Sequence, residues 1–244
     1  MESSKLKNLI QKYLAEFYER RLVKFDSINL NKILKRKNPY LYRSISNNSP
    51  EGFIDSILAA FLTSSDEGIF GDAFFEPLAR EVSGGVVSPS EGVDVAVETD
   101  DRYLAVSVKS GPNIYNASQA KRQNDEFVEL RNRLKKMNKR FDALLGHCYG
   151  QRNTKPSRKR IYRELFGQEF WAEITGDNDF YKKLITLIDD KQVRVHLIDF
   201  ERKWEMARNL FLKQFLNEYC KNNGEIDWER IVEINSGSRR DNKK

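Results

Sequence analysis

Two arms of alternating residues constrain this chain more than any other stretch: Gly92-Val93-Asp94-Val95-Ala96-Val97-Glu98 and Tyr103-Leu104-Ala105-Val106-Ser107-Val108-Lys109. Apolar residues recur with period two in both, and Thr99-Asp100-Asp101-Arg102 between them has turn chemistry, so the segment predicts a β-hairpin. With Asp100 and Asp101 at the centre of the turn, Asp94 falls opposite Ser107. Val93, Val95 and Val97 then share one face with Leu104, Val106 and Val108, and Asp94, Ser107 and Lys109 share the other. A carboxylate and an ammonium are brought together above an apolar sheet.

An exposed Asp–Lys pair ordinarily contributes only about 0–1 kcal/mol. The residues after Lys109 give the pair more weight. Ser110-Gly111-Pro112-Asn113 stops the strand, and Asn116-Ala117-Ser118 opens a long helical pattern. Lys109 is therefore expected at the carboxyl end of a strand, just before a strand-to-helix crossover, where sites in α/β sheets gather. Such a pair can hold a divalent metal beside an activated water, which is the equipment for hydrolysing a phosphodiester.

The chain has 244 residues, enough for one large domain or two small ones with a buried core. Met1-Glu2-Ser3-Ser4-Lys5 lacks the apolar core of a signal peptide, and no apolar run approaches a membrane span, so a cytoplasmic protein is expected. Two cysteines, Cys148 and Cys220, are too few for a disulfide framework. His147-Cys148 reads better as part of a buried strand than as a metal pair.

The net charge of +6 is a mild excess, so its distribution matters more than its sum. Arg152, Lys155, Arg158, Lys159, Arg160 and Arg163 fall within residues 151–163 without one acidic neighbour. A loop of this kind repels itself, and a polyanion would relieve the repulsion.

Helical spacing predicts helices over residues 5–25, 51–62, 66–81, 117–139, 162–174, 179–189, 201–220 and 228–234, with Ser65 and Asp66 capping the third. Pro39 and Ser46-Asn47-Asn48-Ser49-Pro50 mark a loop. Residues 141–148 read as a buried strand and 193–197 as a short one. The expected architecture is a single α/β domain over residues 1–244, a mixed central sheet flanked by helices. Its parts are a helical N-terminal part (1–65), a catalytic core (66–150), the basic loop (151–163) and a helical C-terminal part (164–244).

Asp94, a spacer, then Ser107-Val108-Lys109 resembles the bipartite signature of the PD-(D/E)XK nuclease superfamily. Further phrases carry the likeness in the same order: Ile69-Phe70-Gly71-Asp72, Gly92-Val93-Asp94, Val106 to Asn113, Gly146-His147-Cys148-Tyr149-Gly150, and Gly167-Gln168-Glu169-Phe170-Trp171 with Ile174-Thr175-Gly176. Together they resemble the type II restriction endonucleases that include PmeII, from about residue 66 to 176, with Asp227-Trp228-Glu229 continuing it.

The resemblance implies a restriction-endonuclease-like sheet, Mg2+-dependent cleavage of double-stranded DNA, and a homodimer acting on a short palindromic site. A cognate methyltransferase is expected in the same system, with no direct contact implied. Asp94 would bind metal, Lys109 would position or activate the attacking water, and the Val108 carbonyl would also reach the metal. Val93 replaces the motif's proline, and Ser107 its second acid. A neutral hydroxyl neutralises none of the metal's charge, so another acid is expected to compensate. Glu76 is preferred, with Asp125 and Glu126 as rivals; Asn113 and Gln119 are candidates for orienting water or phosphate. Arg152, Lys155, Arg158, Lys159 and Arg160 are assigned to DNA contact. Two other readings stay open: a repair or recombination nuclease that recognises DNA structure, and a non-catalytic DNA-binding module.

Overall fold

The computed structural model describes residues 2–45, 49–112, 115–152 and 160–238. Asn113, Lys155, Arg158 and Lys159 lie outside these residues. Two compact units are distinguished, one comprising residues 1–17 and 67–190, the other residues 18–66 and 191–244.

The first unit holds a five-stranded sheet in the order β1 (Val86–Val87), β2 (Val95–Glu98), β3 (Arg102–Lys109), β4 (Arg140–His147), β5 (Tyr162–Phe166). The first three strands pair antiparallel and the last three parallel, so the sheet is mixed, as expected. Helix α5 (Glu76–Ser83) precedes it, α6 (Ala117–Arg133) crosses from β3 to β4, and α7 (Gly167–Thr175) and α8 (Phe180–Thr186) follow β5. The chain also has helical N- and C-terminal parts: α1 (Ser3–Lys24), α2 (Leu30–Leu34), α3 (Pro39–Ile45) and α4 (Pro50–Phe70) before the sheet, α9 (Asp190–Tyr219) and α10 (Trp228–Ser236) after it.

The hairpin forms in the expected register. Val95 pairs with Val106 and Val97 with Leu104, and the Thr99 N–H closes the turn on the Arg102 carbonyl at 2.9 Å. Regular pairing ends at Val95, because the Asp94 N–H donates to the Val106 carbonyl at 2.9 Å, one residue off that register. This departure carries Val93 away from its expected face. It packs with Ala96, Tyr103, Ala105, Phe127 and Leu130 on the α6 side of the sheet. Burial along β3 is nearly continuous, as suits a strand covered on both faces.

Other expectations are corrected. Residues 51–81 do not break at Ser65: the Ser64 and Ser65 hydroxyls donate to the Ala60 and Phe61 carbonyls inside α4. The break comes at Gly71–Phe75, a π-helical turn in which the Glu76 N–H reaches the Gly71 carbonyl. Pro77 explains it, since proline cannot donate to the carbonyl four residues back and its ring crowds that carbonyl. Residues 162–166 are strand, not helix. Tyr162, Leu165 and Phe166 have helical spacing, but pairing with β4 prevails and Gly167, at φ +46°, separates strand from α7. Residues 193–197 lie inside α9, where His196 is buried and Val195, Leu197 and Ile198 are exposed. The loop expected around Pro39 contains α3.

In the second unit, Leu30, Ile33, Leu34, Phe53, Ile54, Ile57 and Leu58 form a core with Phe211, Phe215, Tyr219 and Ile231. No helix among the described residues is long and apolar enough to cross a membrane.

Candidate active site

The shifted register at Asp94 aims its carboxylate at the end of β3. Its Oδ2 accepts the Val108 N–H at 2.6 Å and stands 3.5 Å from the Lys109 Nζ. Asp94 and Lys109 are about three-quarters buried (side-chain exposure 22% and 27%), so this pair is screened far less than one on an open surface.

Both residues line a cavity of about 670 Å³. Glu76 and Asp72 form another part of its wall, delivered by the π-helical turn and the start of α5, and residues 108–112 with Glu67 and Tyr149 complete much of the rest. Glu76 therefore lines the same cavity as Asp94 and Lys109. Its carboxyl is raised above the ordinary carboxylate range, first by burial and then by repulsion from Asp94 and Asp72, against the pull of Lys109 and Arg80.

Ser107 is wholly buried and is not in the cavity wall. Its hydroxyl lies 3.0 Å from the Gln123 Oε1 and 3.3 Å from the Asp94 Oδ2. Gln123 is the residue sequence reasoning missed. Its Nε2 donates to the Gly92 carbonyl at 2.7 Å, and its Oε1 also accepts the Tyr115 hydroxyl at 2.6 Å. One amide on α6 thereby fastens both strands behind Asp94. A polar residue on the apolar side of the helix, four before Phe127, was the available signal.

The rival acids stay outside the cavity. Asp125 is exposed, and Glu126 pairs with Arg122 at 2.8 Å and lies under Gly92. Gly92, at φ +71°, has a backbone conformation that favours glycine, and a Cβ there would displace the Glu126 carboxylate. Gln119 is spent on the N-terminal capping box of α6, where its Oε1 accepts the Asn116 N–H at 2.9 Å. Arg152 is exposed, and Arg160 reaches Glu164 at 3.4 Å. Arg163 belongs to β5 and is held by Asp142 and Glu173, at 3.0 Å each, so it is not part of the loop's basic surface.

Among the described residues, no three His, Cys, Asp or Glu side chains are gathered closely enough to form a metal-binding group. The donors nonetheless suit a hard cation that keeps most of its waters. Magnesium takes one or two carboxylates together with water and phosphate oxygens, and Asp94 and Glu76 supply two. The repulsion that raises Glu76 is what a divalent ion between these carboxylates would relieve.

A mixed sheet flanked by helices, with a carboxylate and a lysine paired at the end of β3, is consistent with a restriction-endonuclease-like α/β fold. The family model of the type II restriction endonuclease EcoO109I matches residues 4–195, and the chain belongs to that family. It is an enzyme, a type II restriction endonuclease. No curated protein matches the chain.

Proposed function

We propose that this enzyme hydrolyses phosphodiester bonds of double-stranded DNA at a short palindromic or near-palindromic site, using Mg2+ and leaving 5′-phosphate and 3′-hydroxyl ends. The observation that carries the reading is the 3.5 Å approach of Lys109 to Asp94 on the wall that also holds Glu76. Asp94 and Glu76 would hold the metal, with the Val108 carbonyl beside them. Bound there, the ion would supply positive charge against the scissile phosphate and lower the pKa of a water.

The remaining work falls to side chains of this protein. Lys109 orients the attacking water and offsets charge building on the phosphate oxygens. Asp94 keeps the Lys109 ammonium in place, while its bond from Val108 N–H fixes the carboxylate itself. Arg152 and Arg160, with Lys155, Arg158 and Lys159, would contact backbone phosphates, and an arginine among them would read guanine by a bidentate pair. The phrases from Ile69-Phe70-Gly71-Asp72 to Ile174-Thr175-Gly176 support a PmeII-like member acting as a homodimer within a restriction–modification system. Digestion of plasmid DNA with Mg2+, and with EDTA as control, tests the reading. Discrete fragments with one end sequence support it, and intact plasmid in both arms refutes it.

A further inference from the structure

Lys109 leads into a turn over residues 110–112 whose carbonyls are tied to the end of β4. The Cys148 N–H donates to the Lys109 carbonyl at 2.8 Å, and the Tyr149 N–H to the Ser110 carbonyl at 3.1 Å. The third link is of another kind. The Gly111 carbonyl takes its bond from a side chain, the His147 Nδ1, at 2.8 Å. Gly111 also sits close against Tyr149, whose hydroxyl a Cβ there would meet at 2.5 Å.

His147 is 1% exposed and lies outside the cavity wall, yet it is the register partner of Lys109 on the neighbouring strand. Its ring stacks on Phe166 with centroids 4.1 Å apart and planes 1° from parallel. Its Nε2 stands 3.0 Å from the Glu164 Oε1, and Arg160 approaches the other oxygen of that carboxylate at 3.4 Å. A carbonyl only accepts, so the bond at Nδ1 is one that the ring donates. The hydrogen bond from His147 is the main cause that holds the Glu164 carboxyl below its ordinary range. Two of the three ties on the turn are backbone and indifferent to side-chain identity; the third needs a donor at position 147.

We propose that His147 is a positioning residue: gripped by Glu164 and stacked on Phe166, it holds the Gly111 carbonyl and so sets the direction in which Lys109 enters the cavity. This rests on the reading of Lys109 as the group that acts on the attacking water. Loss of the tie should slow the chemical step and leave DNA binding intact, because the His147, Glu164 and Phe166 side chains lie outside the cavity wall.

Single-turnover cleavage and DNA affinity, the latter measured with EDTA present, are compared across variants in the full-length protein. His147→Phe keeps the stack and removes both bonds; its rate should fall roughly ten- to a hundredfold with affinity within about twofold of wild type. His147→Gln can still donate to Gly111 and should recover much of that loss. Glu164→Ala and Glu164→Gln carry the test should His147→Phe fail to fold. The alanine frees the ring and should fall toward His147→Phe. The glutamine amide can donate to Nε2 while Nδ1–H stays on Gly111, and should stay close to wild type. A wild-type rate in His147→Phe or Glu164→Ala overturns the proposal. So does an equal fall of His147→Phe and His147→Gln accompanied by lost affinity, which marks structural support alone. Should Lys109→Ala cleave like wild type, the reading of the active site falls and this proposal with it. An inactive Lys109→Ala beside a fully active His147→Phe removes the positioning role only.

Discussion

Glu76 shares its cavity with Asp94, and the second carboxylate, after burial, is what lifts the first above its ordinary range. The pair is disfavoured while both are ionised. That cost sits where a divalent cation would offset it.

Stability should therefore depend on pH. The Glu76 carboxyl is raised in the folded protein, so its contribution to stability is present in full below the unfolded value and is lost as pH rises through the folded one. Glu76→Gln should raise the melting temperature with EDTA present at neutral pH, by about 2–4 °C for each kcal/mol relieved, and the gain should shrink toward acid pH. Thermal melts at two pH values check this. Midpoints that match wild type at both would contradict it.

Gln123 should matter to stability and cleavage together. Gln123→Leu strands the Gly92 carbonyl and the Tyr115 hydroxyl and leaves the Ser107 hydroxyl only its 3.3 Å contact with Asp94, at a cost of about 1–3 kcal/mol by urea unfolding, and should lower the cleavage rate by loosening the strands behind Asp94. Ser107→Ala leaves Gln123 bonded to Tyr115 and Gly92 and should be milder in both respects. A Ser107→Ala variant as inactive as Lys109→Ala would instead place the hydroxyl in the chemistry.

At the other end of the sheet, Arg102 and Arg163 share Asp142 and Glu173, with separations of 2.6–3.3 Å. Asp142→Ala leaves two guanidinium groups on one acid and should cost about 1–3 kcal/mol of stability. Strand rise puts this cluster roughly 20 Å from Lys109, so the cleavage rate per folded molecule should not change. Urea unfolding beside single-turnover rates separates the two effects.

Salt dependence tests the assignment of the basic segment to DNA. Arg152→Ala combined with Arg160→Ala should flatten the log–log dependence of DNA affinity on salt, by about 0.9 for each phosphate that is no longer neutralised. An unchanged slope removes these arginines from the interface.

The hairpin could be read from residues, because period-two alternation and a four-residue turn leave one register for it, and that register brings Asp94 close to the end of β3, where its off-register bond sets it beside Lys109. Glu76 is proposed through chemistry, from the missing second acid at Ser107. The features that stayed hidden depend on residues distant in sequence. The off-register bond of Asp94, which turns Val93 to the α6 side, leaves no mark in the alternation. Pro77 was visible, but its effect, a π turn in place of an earlier break, arises only where α4 would otherwise run on into α5. Residues 162–166 carry helical spacing and become strand because β4 offers a parallel edge; residues 193–197 alternate and become helix because α9 continues through them. His147 read as a buried strand residue, which it is, but its two bonds join positions that no local pattern connects.

The proposed role of Lys109, beside Asp94, in the chemistry stands or falls on single-turnover cleavage of plasmid DNA with Mg2+ by wild type and by Lys109→Ala, with DNA binding measured alongside. The rate should fall by about a hundredfold or more while the variant still binds DNA. Cleavage by Lys109→Ala at the wild-type rate, free of any contaminating nuclease, would contradict it.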